Sequence, residues 1–539
     1  MPTVPDIIDN AVAEYYCKKK EYKKGLDLYR EMISLQDGKD KQQLEDKFFK
    51  YAYEYAAVLA KEDKWGEALL LYKEILSFPN HPVTVLKNIG LCLKAVECPN
   101  EALILLEKFK EKVPNNAEVH KFIGELYYSD LKDYEKAIEY YERALELGEK
   151  TFQVYSMLGH LYSTYHRDHF KERQIGYLKE AYNLEPENRI AVKNLAYVLG
   201  KFGMTEEADK YYKKLLKLDP LHSDLHSYGA YLVRNKRFEE GFKYLRHRFW
   251  KEDLEGKHFP DIFFDENYGW TPEKKIKGKD IVVYYEQGFG DTIMFSRFIP
   301  ELKKKCKSVS VVVQEKLLDL FEDSNFGVDF YTPLQLDNIK FDLVIPMMDL
   351  PVVCKTTVDT IPLAEGYLSV PKKKVETYKK EYLGDNKTFK IGIAYEGTLS
   401  SKETQRDIEL KYYYPLMQLP NVTVYSFQVD DLTEQMKDVP EDFNFVKLGQ
   451  TFKNWEDTAC AMKCMDLMVT TDNGVMNLAG ALGVPTFGLF NSITEWRWFK
   501  TTGEDIAWYK SIKPFQCTSD NNWGPVISQV VEEVEKLAK

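Results

Sequence analysis

The sequence predicts a two-part molecule: an α-solenoid of stacked helix pairs, followed by an α/β region with two Rossmann-like halves. Three observations lead there. Small residues recur at one point of a helical pattern, at Ala56, Gly90, Gly124, Gly159, Ala196 and Gly229, with intervals of 34, 34, 35, 37 and 33 residues. A second small residue follows 12 or 13 positions later in most copies, at Ala68, Ala102, Ala137, Ala208 and Gly241. Past Trp250 the helical period stops, and short apolar strands alternate with helices, the pattern of parallel sheets covered by helices.

Small residues at this period let paired helices approach closely, and Pro114, Pro186 and Pro220 close individual copies. The pattern resembles the tetratricopeptide repeat. An earlier copy is read from Ala13 and Gly25, set apart by a polar insertion around Asp37 to Asp46. Residues 1–250 are assigned to this solenoid. Stacked helix pairs bury their apolar faces against neighbours and leave a long surface for another chain, so this half is expected to bind rather than catalyse.

At 539 residues the chain exceeds one core. A formal net charge of −11 and a pI near 5.6, without a long basic run, weigh against a nucleic-acid partner. Short runs such as Lys303 to Lys305 and Lys372 to Lys374 read as solvated helix faces. The eight cysteines are scattered without the two-pair spacing of a zinc site, so no metal centre is expected and reduced thiols fit a cytoplasmic location. No run approaches the roughly 18 apolar residues of a membrane span, and no apolar leader is evident, so no transmembrane segment is expected.

The elements of the second half follow in order. Residues 251–280 form a connector rich in Phe, Pro, Asp, Gly and Trp, packed by its aromatics. Residues 281–371 form the first α/β half, with a strand at Ile281 to Tyr285, a glycine turn, a helix opened by Asp291 and running to Leu302, and strands at Ser308 to Val313 and Phe341 to Pro346. Residues 372–387 read as a charged linker. Residues 388–539 form the second half, with strands at Lys390 to Tyr395, Val422 to Gln428, Leu467 to Thr471 and Thr486 to Phe490. A final helix, Pro525 to Lys539, is expected to cross back between the halves. Ligands of such sheets bind outside the carboxyl ends of the strands, so the turns there carry the chemistry.

The first such turn is Glu286-Gln287-Gly288-Phe289-Gly290-Asp291. It lacks the third glycine of a dinucleotide fingerprint and the Gly-Lys-Ser/Thr ending of a triphosphate loop. Asp291 there is either a helix N-cap or an acid group set into the cleft. The second turn opens at Thr470-Thr471-Asp472-Asn473-Gly474 and leads into a small-residue helix. Backbone N–H groups near Gly474 to Asn477 would suit a diphosphate; the alternative is capping plus close packing through Ala479, Gly480 and Ala481. The pair Asp430-Asp431 reads as a solvated loop rather than a metal motif.

The segments EQGFGDTIMFSRFIPEL, TTDNGVMNLAGALGVPTFGLF and EWRWF followed by AWY resemble the glycosyltransferase domain of bacterial tetratricopeptide-containing proteins, itself similar to the heptosyltransferases. The resemblance runs from Ile281 to Leu537. It implies a GT-B fold and an inverting mechanism without an obligatory metal. It implies no cofactor beyond a nucleotide-sugar co-substrate, held mainly by the second half. It implies Asp291 as general base and Asp472, Asn473, Gly474, Val475 and Asn477 as the turn facing the donor diphosphate. Thr398 falls on a loop where small polar residues approach phosphate, and Arg406 on a basic position after it. Gln428 falls on a strand end near the donor nucleotide, and Trp496, Arg497 and Trp498 match the family's Trp-Arg-Trp segment, with a ring of Trp496 or Trp498 near the ligand. The chain departs from the family at Asn477, where relatives carry His, at Tyr395-Glu396-Gly397-Thr398 in place of Trp-Arg-Gly-Asn, and near Gln516, where a basic residue is absent.

The leading expectation is a protein or peptide glycosyltransferase whose repeats capture the acceptor, an arrangement similar to the O-linked N-acetylglucosamine transferases; holding the acceptor beside the cleft raises its effective concentration. The alternatives are transfer to a lipid or polysaccharide, and an inactive transferase-fold scaffold that binds protein partners.

Overall fold

The computed structural model describes residues 4–78, 81–165, 171–250, 259–384, 387–397, 406–429, 434–498, 506–519 and 522–539. The chain divides into two compact units, one reaching Pro186 and the other carrying Glu187–Lys539.

The first unit is a series of antiparallel helix pairs: α1 (Val4–Lys18) with α2 (Tyr22–Leu35), α3 (Gly38–Lys61) with α4 (Trp65–Leu76), α5 (Thr84–Ala95) with α6 (Pro99–Lys112), α7 (Ala117–Ser129) with α8 (Tyr134–Glu146), and α9 (Phe152–Tyr165) with α10 (Lys171–Leu184). The recurring small residues sit where the pairs touch. A Cβ on Gly25 would lie 2.3 Å from Cys17 Sγ, one on Gly90 2.8 Å from Leu106, and one on Gly159 2.4 Å from Leu178. The stretch around Asp37 to Asp46 is no loop: it adds turns to the front of α3, a helix of 24 residues. Cross-helix contacts join the first helices of successive pairs, Lys87 donating to Glu118 at 2.6 Å and Lys94 to Glu125 at 3.0 Å.

Two more helix pairs open the second unit: α11 (Arg189–Lys201) with α12 (Thr205–Leu215), and α13 (His222–Arg234) with α14 (Phe238–Leu245). In the last pair two glycines face each other. A Cβ on Gly229 would lie 2.9 Å from the Gly241 carbonyl oxygen, and one on Gly241 3.0 Å from that of Gly229, so neither position has room for a side chain.

The first sheet is wholly parallel with order β3-β2-β1-β4, from β1 (Asp280–Tyr284), β2 (Ser308–Val312), β3 (Asp329–Tyr331) and β4 (Leu343–Pro346). Along β1, Ile281 and Val283 enter the main core, while Val282 and Tyr284 enter a smaller one with Val312 and Val344. Both faces are buried, which is why the strand reads as an unbroken apolar run. The connector covers the second face with Ile262 and Phe263 and bridges to β4 where Trp270 N–H donates to the Val344 carbonyl at 2.9 Å.

The second sheet has order β10-β9-β8-β5-β6-β7, also parallel, from β5 (Phe389–Ala394), β6 (Val422–Ser426), β7 (Phe445–Val446), β8 (Leu467–Thr471), β9 (Thr486–Phe490) and β10 (Ile512–Gln516). The short strands β3, β7 and β10 are additions to the sequence reading. Two expected segments differ. The charged stretch from Lys372 is helical, Lys372–Tyr378, and its Tyr378 hydroxyl lies 2.5 Å from Thr451 Oγ1 beside the second sheet. The final helix, Trp523–Leu537, lays Val526, Ile527, Val530 and Val534 into the core of the second sheet with Ile391, Leu467 and Phe515. An apolar stripe at helical spacing is satisfied there, and this replaces the expected crossing between the halves.

Candidate functional site

The carboxyl ends of both sheets meet at two helix starts. After β1 the turn feeds α15 (Phe289–Ser296), and after β8 a turn feeds the Gly474–Leu482 helix. A Cβ on Gly290 would lie 3.1 Å from Asn477 Nδ2 and 3.4 Å from Gly474 Cα, so the two helix starts touch through their glycines. The rings of Phe289 and Trp455 meet beside them in a tilted pair at 5.4 Å, and a Cβ on Gly474 would meet Trp455 Cη2 at 2.7 Å. Gly474 is thus a packing requirement as much as a candidate approach to phosphate.

Asp291 is not an N-cap. Gly288 occupies that position, and Asp291 stands in the first turn of α15 with its carboxylate aimed across at the second half. There it accepts from Arg497 Nε at 2.7 Å. The other Arg497 nitrogens donate to Glu495 at 2.8 Å and to Gln287 Oε1 at 3.2 Å, and the guanidinium lies 4.4 Å from the Trp496 ring centre. Burial works against the charge on Arg497, but Asp291, Glu495 and Asp472 outweigh it and hold it protonated above its usual range. Asp472 sits behind this group, 3.4 Å from Arg406. Burial pushes its carboxyl up, and the attraction of Arg406 only partly offsets the loss of solvent.

The turn before the Gly474–Leu482 helix differs from the expected open nest of N–H groups. Asn473 Oδ1 accepts from Val475 N at 2.9 Å and Met476 N at 3.1 Å, filling that end from within. Asn is among the best N-caps because its side-chain oxygen satisfies donors that a helix start leaves orphaned. Asn477 is also engaged: it donates to the Asn473 carbonyl at 3.1 Å and accepts from the Tyr509 hydroxyl at 3.0 Å. Val475 packs against the main core.

Gln428 follows β6, is buried, and leaves its side-chain oxygen without a hydrogen-bond partner. Thr398 lies outside the described residues, as do Asp430 and Asp431. Trp496 is part-buried and meets Phe242 of α14 edge to face at 6.4 Å. Trp498 is buried against Phe490 and Tyr509. The Trp-Arg-Trp segment is therefore a wedge carrying Arg497 between the last repeat and the sheets. Trp508 extends it, donating to the Arg497 carbonyl at 2.6 Å and stacking on Phe238 of α14 at 5.8 Å.

A second charge cluster fastens the last repeat to the first sheet. Arg248 grips Glu286 through two hydrogen bonds of 2.6 and 2.8 Å and Asp349 through one of 2.9 Å, while Arg246 donates to Asp349 at 2.8 Å. Glu286 also accepts from Met348 N at 2.9 Å. With every partner taken, Glu286 is unsuited to proton transfer. Glu396 accepts from Gln435 at 2.6 Å. Sequence reasoning missed Glu495 and Gln287, although Glu495 directly precedes the Trp-Arg-Trp segment and Gln287 lies in the glycine turn.

Among the described residues no cluster of three or more His, Cys, Asp and Glu is arranged to hold a metal ion, and no helix is long and apolar enough to cross a membrane. A tetratricopeptide-repeat family model matches residues 121–150 and 194–220. Protein FlbA of Caulobacter vibrioides is 22% identical over 286 residues, which cover 49% of this chain and 47% of FlbA. The chain thus spans about half the length of that curated relative. Among solved structures, YrrB, described as a tetratricopeptide protein with an unusual peptide-binding site, is 19% identical with a TM-score of 0.30, covering 33% of this chain and 89% of YrrB. MamA from Desulfovibrio magneticus is 19% identical with a TM-score of 0.29, covering 32% of this chain and 94% of MamA. The family match and the recurring small-residue contacts agree: the helix pairs are tetratricopeptide repeats, a protein-interaction module, joined to an α/β region of two parallel sheets.

Proposed function

We propose that this protein is an inverting glycosyltransferase of GT-B architecture that moves a sugar from a nucleotide-sugar donor to a protein or peptide acceptor held by the repeats. The observation that carries this reading is the ion pair between Asp291, beyond the first strand of one sheet, and Arg497, beyond β9 of the other. Paired in this way, each group masks the other. A donor diphosphate competes for Arg497 and releases Asp291, which then takes the proton from the acceptor hydroxyl as its oxygen bonds to the anomeric carbon. The bond to the diphosphate breaks on the opposite face, and Arg497 and Arg406 meet the departing charge without a metal. A positioned carboxylate base contributes about 10² to 10⁴ in rate, enough to justify one such aspartate. The repeats supply the acceptor, which fits their role as a protein-binding module.

A competing reading, a scaffold of transferase fold without chemistry, is favoured by one feature: Asn473 already occupies the N–H groups of Val475 and Met476. Incubation of the protein with a panel of nucleotide sugars and candidate acceptor proteins, followed by mass spectrometry, separates the two. A sugar-sized mass gain on a polypeptide supports the transferase. Gain only on a lipid or polysaccharide redirects the acceptor, and absence of both transfer and donor hydrolysis across the panel favours the scaffold.

A further inference from the structure

One face of α1 is apolar and exposed. Ile7 and Ile8 are each 56% exposed, Val12 38% and Tyr15 57%. Ile8, Val12 and Tyr15 follow at intervals of four and three residues, the spacing of a seam that another helix covers. The opposite face of α1 fixes this orientation. Ala13 and Cys17 are buried, with Gly25 of α2 close against Cys17, and Lys47 of α3 donates to Asn10 at 3.0 Å and to Glu14 at 3.1 Å. The four exposed side chains present an area on the order of 400 Å², as large as the biggest apolar patch of an ordinary monomer, and such patches mark interaction sites.

The charges around the stripe select its occupant. Asp9, exposed, flanks the N-terminal end, while Lys19 and Lys20, also exposed, close the other; Lys19 comes eleven residues after Ile8 and so prolongs the same stripe. A second copy of α1 laid antiparallel sets the basic end of each helix over the acidic end of the other and opposes the two helix dipoles. A parallel copy would set like ends together. The stripe is then matched to itself, as a two-fold contact requires.

We propose that this face of α1 is a self-association surface, on which two copies of the chain pair through α1 helices running antiparallel. The pairing is independent of any transferase activity in the α/β region. The area it buries is below that of a standard interface, so the dimer is a transient one that forms at micromolar concentrations and above. Pairing gives a partner polypeptide two repeat surfaces to engage, which raises avidity without a new contact.

Sedimentation equilibrium of the full chain at low salt, from about 1 to about 200 µM, tests the proposal. The native protein should follow a monomer–dimer equilibrium that weakens as salt is raised. Ile8→Glu should weaken dimerisation about tenfold or more and leave the melting temperature of the monomer unchanged, since the position is exposed. Asp9→Lys and Lys19→Glu should each weaken self-pairing. An equimolar mixture of those two variants should pair more tightly than either alone, because each offers the charge that the other lacks. A native protein that stays monomeric at the highest concentration overturns the proposal. So does a dimer that Ile8→Glu leaves intact, which would place the contact on another surface. Charge variants that pair as the native protein does, alone and mixed, overturn the antiparallel arrangement, and assembly beyond the dimer overturns the two-fold contact.

Discussion

Glu286 and Asp291 stand five residues apart on one turn, and each forms an ion pair with an arginine delivered from elsewhere in the chain. Their side chains are 1% and 19% exposed, and the difference sets what each can do. Glu286 has two hydrogen bonds from Arg248 and one from a backbone N–H, inside a network that also consumes Asp349 and Arg246. Leaving that arrangement would strand charges in the core. Asp291 has a single charged partner near solvent, and Arg497 has two further acceptors to fall back on. A carboxylate that can lose its partner at little cost can take part in a reaction cycle; one that cannot is a fastening.

The strongest way to break this comparison is at the fastening. Arg248→Met leaves Glu286 and Asp349 buried with one cation between them, and should destabilise the protein by about 3 to 5 kcal/mol. Denaturant unfolding of the Glu187–Lys539 fragment measures it, and a shift below 1 kcal/mol would show that the network is not structural. By the same logic a fragment beginning at Phe259, which lacks both arginines and the apolar faces of α13 and α14, should not fold, whereas one beginning at Glu187 should.

Next comes the exchangeable partner. Asp291→Asn keeps size and hydrogen bonding to Arg497 but cannot accept a proton, so stability should stay within about 1 kcal/mol of the native value while sugar transfer falls about 10²-fold or more. Transfer at the native rate would remove Asp291 from the chemistry and, because Glu286 is consumed by Arg248, would move the search for the base to Glu396.

A smaller effect tests the contact on which Asp291 rests. Gly474→Val sets a branched side chain against Trp455, whose ring would lie 2.7 Å from the new Cβ, and should cost about 1 to 3 kcal/mol with a change in tryptophan fluorescence. An unchanged melting temperature would mean that Trp455 swings aside freely and that the two helix starts do not need their close approach.

The smallest effect concerns a third ion cluster between the α/β halves, where Lys374 bridges Asp323 at 2.8 Å and Glu456 at 2.5 Å. Burial, with a hydrogen bond to Asp323, pushes the Glu456 carboxyl up to about 6. A folded-state value above the ordinary 4.5 means that the native state holds this proton more tightly, so its contribution is complete below pH 4.5 and lost as pH rises through about 6. Glu456→Gln should flatten that part of the stability profile by under about 1 kcal/mol, as befits a pair near the surface. Superimposable profiles for the two proteins would place the titration elsewhere.

The repeats were legible because their signal is local and periodic. A small residue is needed wherever two helices of a pair touch, and the same contact recurs in each pair, as at Gly90 against Leu106 and Gly159 against Leu178. The long apolar strands were legible for a similar reason, since a strand buried on both faces cannot disguise its composition. Strands β3 and β7 were missed because they are two or three residues long and lack such a run. Around the candidate site, the turns after β1 and β8 were readable from glycine and polar clusters. Their partners were not: Trp496 could not be assigned to Phe242, nor Glu286 to Arg248, because those contacts join residues far apart in sequence.

The sequence by itself therefore determined the class of each half, the period of the repeats and the turns at the strand ends, because these depend on spacing and on backbone preferences that neighbours along the chain enforce. Only the tertiary structure decided which charges are consumed and which remain exchangeable. It gave Asn473 the N–H groups of its own helix, made Gly288 rather than Asp291 the cap of α15, and turned the last repeat into part of the α/β unit. Burial and pairing are properties of what surrounds a side chain in space, and a carboxylate carries no mark of its partner until the chain has folded around it.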